Sequence, residues 1–148
     1  HGIKAPAFIP AKAKHMIRDC KLIAERNNVR FKFNSYFPIR SLNLMRGVLV
    51  AEEDNFKSYY IDNIFDAIWQ DGLNMNDDNI ILKVLKNLNI NPKTFALRAT
   101  SSLVKDSLKK RTSEAYEKGV FGAPTFISNN KLFWGQDRIE FVLKEASK

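Results

Sequence analysis

The chain has 148 residues, of which 45% are hydrophobic and 27% charged, a composition typical of a soluble globular protein with enough apolar material for a core. No stretch approaches the run of about 18 apolar residues that a membrane-spanning helix needs, so no membrane partner is expected. The net charge of +8 favours anionic partners. However, the lysines are scattered and Lys109–Arg111 is the single basic run, which argues against a nucleic-acid partner.

The cysteine and histidine residues limit the disulfide and metal chemistry that this sequence predicts. The sequence contains one cysteine, Cys20, which excludes an internal disulfide or a Cys-x-x-Cys pair within these residues. Its position beside Met16 and Ile23 on an amphipathic helix predicts a small buried side chain. A single cysteine fits a reducing compartment, and a cytoplasmic location is expected. His1 and His15 have no Cys or Glu partner at ligand spacing, so no metal site is predicted.

The first half of the chain has helical periodicity. A helix is predicted from Ala11 to about Asn27, followed by a short extended piece at 29–33. Ser41 is the predicted cap of a second helix and Asn55 that of a third. The inward positions predicted for the third helix are Phe56, Tyr60, Ile64, Phe65 and Ile68.

Two of the next three predicted helices start with cap signals. Asp77 or Asp78 begins the fourth predicted helix, and Asn91 followed by Pro92 begins the fifth. A sixth helix is predicted over Ser102–Lys118, with Gly119 ending it.

The period then changes from helix to strand. Two short strands are predicted at 125–128 and 131–134, joined by a tight turn at Asn129–Asn130. A last helix is predicted over Gln136–Ala146, with Ile139, Val142, Leu143 and Ala146 inward. An isolated two-stranded hairpin is marginal in water, so we expect further strands to come from an upstream segment or another chain.

Two segments of this last part carry specific motifs. Gly119–Phe126 is a helix end, a loop and a proline directly before a strand, which a plain loop-to-strand turn would also give. Trp134–Arg138 leads into the last helix, whose N-terminus offers free N–H groups to an anion. Asp137 in that first turn can accept from an ammonium group, although simple helix capping is a common use of aspartate.

These two segments resemble motifs of the 2-hydroxychromene-2-carboxylate isomerase family. This family is a thioredoxin-fold group related to kappa-class glutathione transferases and periplasmic disulfide oxidoreductases. Three more segments carry the same resemblance: Ile64–Gly72, the loop from Gly2 to Lys12, and Phe33–Pro38. The resemblance spans essentially all of the chain. Ile3 stands where the family usually has asparagine, which removes one expected glutathione contact.

The resemblance implies an α/β thioredoxin-like fold with an inserted all-helical domain. This chain would hold the helical insertion with its preceding loop at 1–100, and the C-terminal β-hairpin plus helix at 101–148. The family's first β-α-β unit, whose serine holds the glutathione thiolate, has no counterpart in these residues. No catalytic residue is therefore assigned within the chain.

The family's reaction interconverts a chromene carboxylate and an open-chain benzylidenepyruvate through a glutathione adduct. By resemblance, the expected glutathione contacts are Ala123, Pro124, Trp134, Gly135, Gln136 and Asp137. The Ala123–Pro124 bond is expected to be cis, and the Ala123 backbone to pair with the cysteinyl part of glutathione. Lys12, Tyr36 and Phe37 are expected to bind the aromatic carboxylate substrate, and a homodimer is expected.

Three other functions remain open on the sequence. A kappa-type glutathione transferase would share the fold and the glutathione site. A thiol–disulfide oxidoreductase would need a Cys-x-x-Cys pair upstream. A non-catalytic binding module would be consistent with Ile3 and with the missing nucleophile.

Overall fold

A computed structural model describes residues 6–148, apart from the side chain of Pro6. Gly2 and Ile3, which belong to the first family segment, lie outside the described residues. The chain divides into two compact units that meet in sequence at Ser101 and Ser102. We name them the helical unit and the hairpin unit.

The helical unit consists of five α-helices after a short 3-10 turn. Their bounds are α1 Pro10–Arg26, α2 Leu42–Glu53, α3 Lys57–Trp69, α4 Asp78–Asn87 and α5 Pro92–Ala99. These helices agree with the predicted ones. The extended piece predicted at 29–33 is irregular rather than a β-strand, although the Lys32 N–H donates to the Trp69 carbonyl at 2.6 Å.

Two of the predicted helix starts are confirmed. The Asp77 carboxylate accepts from the Asn79 N–H at 2.8 Å, and the Asn91 side chain accepts from the Thr94 N–H at 3.1 Å. The cap predicted at Asn55 is wrong. Asn55 has φ +62° and ends α2, with the next residue donating back to the carbonyl of Ala51 at 2.9 Å. Asparagine tolerates this left-handed conformation, which explains why it can either start or stop a helix.

The core of the helical unit forms where α2, α3 and α5 meet. Tyr60 is 1% exposed, its ring lies 5.3 Å from that of Phe95, and its hydroxyl donates to the Leu44 carbonyl at 3.2 Å. Gly47 faces this ring so closely that an added Cβ would collide with the Tyr60 hydroxyl. Glycine at this position therefore lets α2 approach the ring of α3.

Two predicted inward side chains are on the surface. Phe65 is 59% exposed and Cys20 is exposed as well. Helix α1, which carries Cys20, has no buried residue. The apolar period correctly predicted that these segments are helices. It did not predict which apolar side chains another element covers.

The hairpin unit consists of α6 at Ser102–Glu117, β1 at Thr125–Ser128, β2 at Lys131–Trp134 and α7 at Ile139–Ala146. The strands pair antiparallel, with Phe126 opposite Phe133. Asn129 and Asn130 have φ +47° and +60°, which confirms the predicted tight turn. The last helix begins later than predicted, because residues 136–138 form a 3-10 turn. Three of its predicted inward residues, Ile139, Leu143 and Ala146, are exposed.

Glu145 connects α7 to the hairpin through hydrogen bonds. Its side chain is 10% exposed and accepts from Lys131 Nζ and Lys148 Nζ, each at 2.9 Å. The Asn129 side chain also donates to the Glu145 carbonyl at 2.8 Å. The hydrogen bonds from Lys148 and Lys131 lower the pKa of Glu145 to about 2.

This pKa makes the hairpin unit sensitive to acid. Because the folded pKa is below the ordinary value of 4.5, the stabilisation is present above pH 4.5 and is lost as the pH falls toward 2. We expect the urea midpoint, followed by Trp134 fluorescence in a Trp69→Phe background, to fall through this window. In Glu145→Gln the fall of the urea midpoint should be smaller. In Glu140→Gln, a variant on the same helix, the midpoint should fall as much as in the parent. An equal decline in all three proteins would contradict the role of Glu145.

Candidate functional site

The loop before β1 carries the first motif, and we call residues 119–124 the proline loop. Gly119, with φ +81°, ends α6, and the Ala123–Pro124 bond is cis, as expected. The Thr125 hydroxyl donates to the Gly122 carbonyl at 2.6 Å, which closes the loop onto the first residue of the strand.

The second motif lies directly beside the first. Pairing of Thr125 with Trp134 places the ends of the two strands together, and the Gly135 N–H donates to the Pro124 carbonyl at 3.0 Å. The rings of Phe121 and Trp134 are 5.3 Å apart. The structure thus brings together Pro124, Trp134 and Gly135, which the sequence predicted as parts of one site.

Ala123 presents backbone groups that an extended ligand can use. The residue is exposed, and among residues 6–148 its N–H and carbonyl make no backbone hydrogen bond. Unpaired groups of this kind next to a strand can bind a peptide-like ligand by strand addition.

Asp137 lies in the turn that follows, and we call residues 135–138 the glycine turn. Gln136, Asp137 and Arg138 are all exposed. Arg138 Nη1 donates to Asp137 Oδ2 at 2.7 Å. Because a carboxylate has lone pairs on both oxygens, Asp137 can still accept from a ligand ammonium group. The turn is 3-10 and leads directly into α7, so the anion site predicted at the N-terminus of the last helix lies one short turn before the α-helix itself.

A separate cluster of aromatic rings lies in the helical unit. Trp69 lies 6.0 Å from Phe31, 6.2 Å from Phe33 and 5.8 Å from Phe37 between ring centroids. These rings and three residues of α1 surround a space of about 400 Å³, which we call the aromatic cavity. Its lining residues are Met16, Ile17, Cys20, Phe31, Phe33, Phe37 and Trp69.

Of the predicted substrate residues, Phe37 lines the aromatic cavity. Tyr36 is 49% exposed and is not part of the lining. Lys12 is exposed on α1, one helical turn before the lining residue Met16. Trp69, to which the sequence analysis assigned no role, also lines the cavity.

Cys20 is the one thiol of the chain and it lies on the wall of the aromatic cavity. Partial burial, with a smaller contribution from the Asp19 carboxylate, raises the pKa of this thiol above its ordinary value. A raised pKa is the opposite of what an activated nucleophilic thiol needs.

Neither a metal nor a membrane site emerges from the part of the chain that the structure describes. Within residues 6–148 no three His, Cys, Asp or Glu side chains are grouped to hold a metal ion. In the same range no helix has the length and hydropathy to cross a bilayer.

Comparison with known proteins gives consistent matches. A 2-hydroxychromene-2-carboxylate isomerase of Sphingobium xenophagum is 24% identical over 131 residues, 88% of this chain and 66% of that protein. One of Pseudomonas putida is 22% identical over 138 residues, 93% of this chain and 66% of that protein. The chain therefore spans just under two thirds of the length of these relatives.

A solved structure titled as selenomethionine 2-hydroxychromene-2-carboxylate isomerase has the same fold. Its TM-score is 0.86 over 99% of this chain and 70% of that chain, at 20% identity. A family model described as a DSBA-like thioredoxin domain matches residues 1–146. This chain is therefore a member of the DSBA-like thioredoxin domain family.

Proposed function

We propose that the chain forms part of a glutathione-dependent isomerase that acts on a small aromatic carboxylate of the 2-hydroxychromene-2-carboxylate type. The names of the relatives support the isomerase assignment. The observation that carries the substrate class is the aromatic cavity, a space of about 400 Å³ walled by four aromatic rings.

The chemistry of the cavity wall favours a particular orientation of the substrate. Its lining side chains are hydrocarbon or sulfur at the surface, so a planar ring can bind there without leaving a polar group unpaired. The carboxylate of the substrate must then remain outside the wall. Lys12 is one turn from Met16 on α1 and is the cation we assign to that carboxylate.

The hairpin unit offers groups suited to glutathione. The unpaired backbone of Ala123 matches the extended cysteinyl part of the tripeptide, and the free lone pairs of Asp137 match the γ-glutamyl ammonium. Bound glutathione would supply a thiol that adds reversibly to a conjugated acceptor. The residues of this chain would hold and orient it, with Trp134 forming one side of the site.

A thiol–disulfide oxidoreductase, the second function considered, would use a pair of cysteines. These 148 residues contain one cysteine, and its raised pKa is unfavourable for such chemistry. No feature of the described residues therefore favours this second function over the first. A homodimer and a cytoplasmic location stay predictions.

The aromatic site can be tested by fluorescence titration with 2-hydroxychromene-2-carboxylate. In a Trp134→Phe background Trp69 is the only tryptophan, and we expect saturable quenching as the ring enters the cavity. In the matched Trp69→Phe background, Trp134 should respond much less. Equal responses of both tryptophans, or none from Trp69, would contradict the proposed substrate site.

The glutathione site can be tested by calorimetric titration of reduced glutathione into the chain. Asp137→Ala removes a charge-assisted hydrogen bond, and we expect the affinity to fall about 10- to 100-fold. Asp106→Ala on α6 removes the same charge from the same unit and should leave the affinity unchanged. Equal losses of glutathione affinity in both variants would show that only the net charge of the unit matters and would contradict the assignment of Asp137.

A further inference from the structure

The aromatic cavity takes three of its rings from a segment without regular structure. Phe31, Phe33 and Phe37 belong to residues 31–37, which we call the aromatic loop and which forms neither helix nor strand. Segments without regular structure are usually more mobile than helices and strands, whereas a binding wall needs rings held in fixed positions. Something must therefore fix the loop against α3, which carries Trp69.

At the centre of the aromatic loop lies a fully buried polar side chain. Asn34 has 0% exposure, and it is one of the few polar residues buried in the described chain. Its Nδ2 donates to the carbonyls of Ile68 and Leu73, both at 2.9 Å. Its Oδ1 accepts from the Tyr36 N–H at 2.8 Å. Both donors and one acceptor position of the amide are thus used.

Two of the partners of Asn34 are residues that directly precede members of the cavity wall. Ile68 precedes Trp69 at the end of α3, where the last carbonyls of a helix lack intrahelical partners. Tyr36 precedes Phe37. The Asn34 amide therefore fixes the backbone directly before Phe37 and directly before Trp69. Further ties include a Lys32–Trp69 backbone bond and a bond from Asn76 Nδ2 to the Tyr36 carbonyl at 3.2 Å. An exposed ion pair also joins Arg30 to Asp71. An exposed ion pair contributes little, whereas a buried amide is costly to leave unpaired.

We propose that Asn34 is the positioning residue of the aromatic cavity and sets the affinity of the site for an aromatic ring. Asn34 does not line the cavity and acts through Phe37 and Trp69. The proposal rests on the proposed function, since it assigns to that site the residue that holds it in shape.

The test is Asn34→Asp in the Trp134→Phe background. Aspartate keeps the size of the side chain and the acceptor for Tyr36, but it turns a carboxylate toward two carbonyl oxygens. The control is Asn74→Asp, because the Asn74 side chain only accepts, from the Asn76 N–H at 3.2 Å. We expect Asn34→Asp to weaken binding of 2-hydroxychromene-2-carboxylate at least tenfold and Asn74→Asp to leave it unchanged. If Asn34→Asp does not fold, Asn34→Ser, which can still donate to one carbonyl, should show an intermediate loss.

A second readout separates this proposal from the proposed function. Nuclear Overhauser contacts between the Trp69 indole and the rings of Phe33 and Phe37 report the cavity wall without any ligand. We expect them in the parent and in Asn74→Asp, and we expect them to be lost in the folded Asn34 variants. If those variants melt earlier but keep these contacts and the parent affinity, Asn34 is merely structural and the proposal is overturned. If the parent keeps the contacts but binds no ring, the proposed function fails while the contacts still decide the role of Asn34.

Discussion

Replacing Tyr60 by alanine is expected to lower the free energy of unfolding by about 3–5 kcal/mol, the range found when a buried aromatic side chain is truncated. The ring is 1% exposed and packs against Phe95 and the bare backbone of Gly47. It also lines two neighbouring spaces of about 270 and 320 Å³. Its removal would leave the Phe95 ring and the Gly47 backbone without their packing partner, so we expect a value within this range.

Tyr60→Phe separates the ring from its hydroxyl. This variant keeps the packing and loses only the hydrogen bond to the Leu44 carbonyl, so a cost of about 1 kcal/mol is expected. Urea unfolding of the two variants measures both values. If Tyr60→Phe were as destabilising as Tyr60→Ala, the hydrogen bond rather than the packing would dominate this core.

Gly135→Ala is expected to disrupt the junction between the proline loop and the glycine turn. Gly135 is buried with φ +110° and ψ +145°, a conformation essentially restricted to glycine that costs other residues about 1–3 kcal/mol. An added Cβ would also lie 2.5 Å from Asp137 Oδ1. The substitution therefore either displaces the Asp137 carboxylate or breaks the bond from the Gly135 N–H to Pro124, and glutathione affinity should fall at least tenfold.

Gly119→Ala is the matched control for this prediction. Gly119 also has a positive φ, +81°, but the nearest atom to an added Cβ is 4.0 Å away on Leu132. Only the conformational cost remains there, about 1 kcal/mol. Calorimetry with reduced glutathione should show a large loss for Gly135→Ala and a small one for Gly119→Ala. Equal effects would mean that the collision with Asp137 is unimportant.

The parts of the fold that depend on local chemistry were predictable from the sequence. The Asn129–Asn130 turn follows from two residues that tolerate positive φ, and the start of α5 follows from Asn91 before Pro92. The cis bond before Pro124 was expected from the resemblance to a known family. In these cases the signal lies within a few adjacent residues.

The parts that depend on distant contacts were not predictable in this way. Asn34 lies in a segment without any period, and its bonds go to carbonyls of Ile68 and Leu73, far along the chain. Trp69 was not recognised as a lining residue because its aromatic neighbours come from that same segment. The exposed position of Phe65 was missed because a helical period indicates which residues share a face, but not whether another element covers that face.

The raised pKa of Cys20 has a consequence for the durability of the proposed enzyme. A conjugated ketone of the kind that the proposed reaction handles is an alkylating agent, and it reacts with a thiolate far faster than with a thiol. Because the pKa of Cys20 on the cavity wall is raised, its thiolate fraction is smaller than that of an ordinary cysteine, and it would form such adducts more slowly. An arginine or lysine brought next to Cys20 would lower its pKa and make the wall a target for its own substrate.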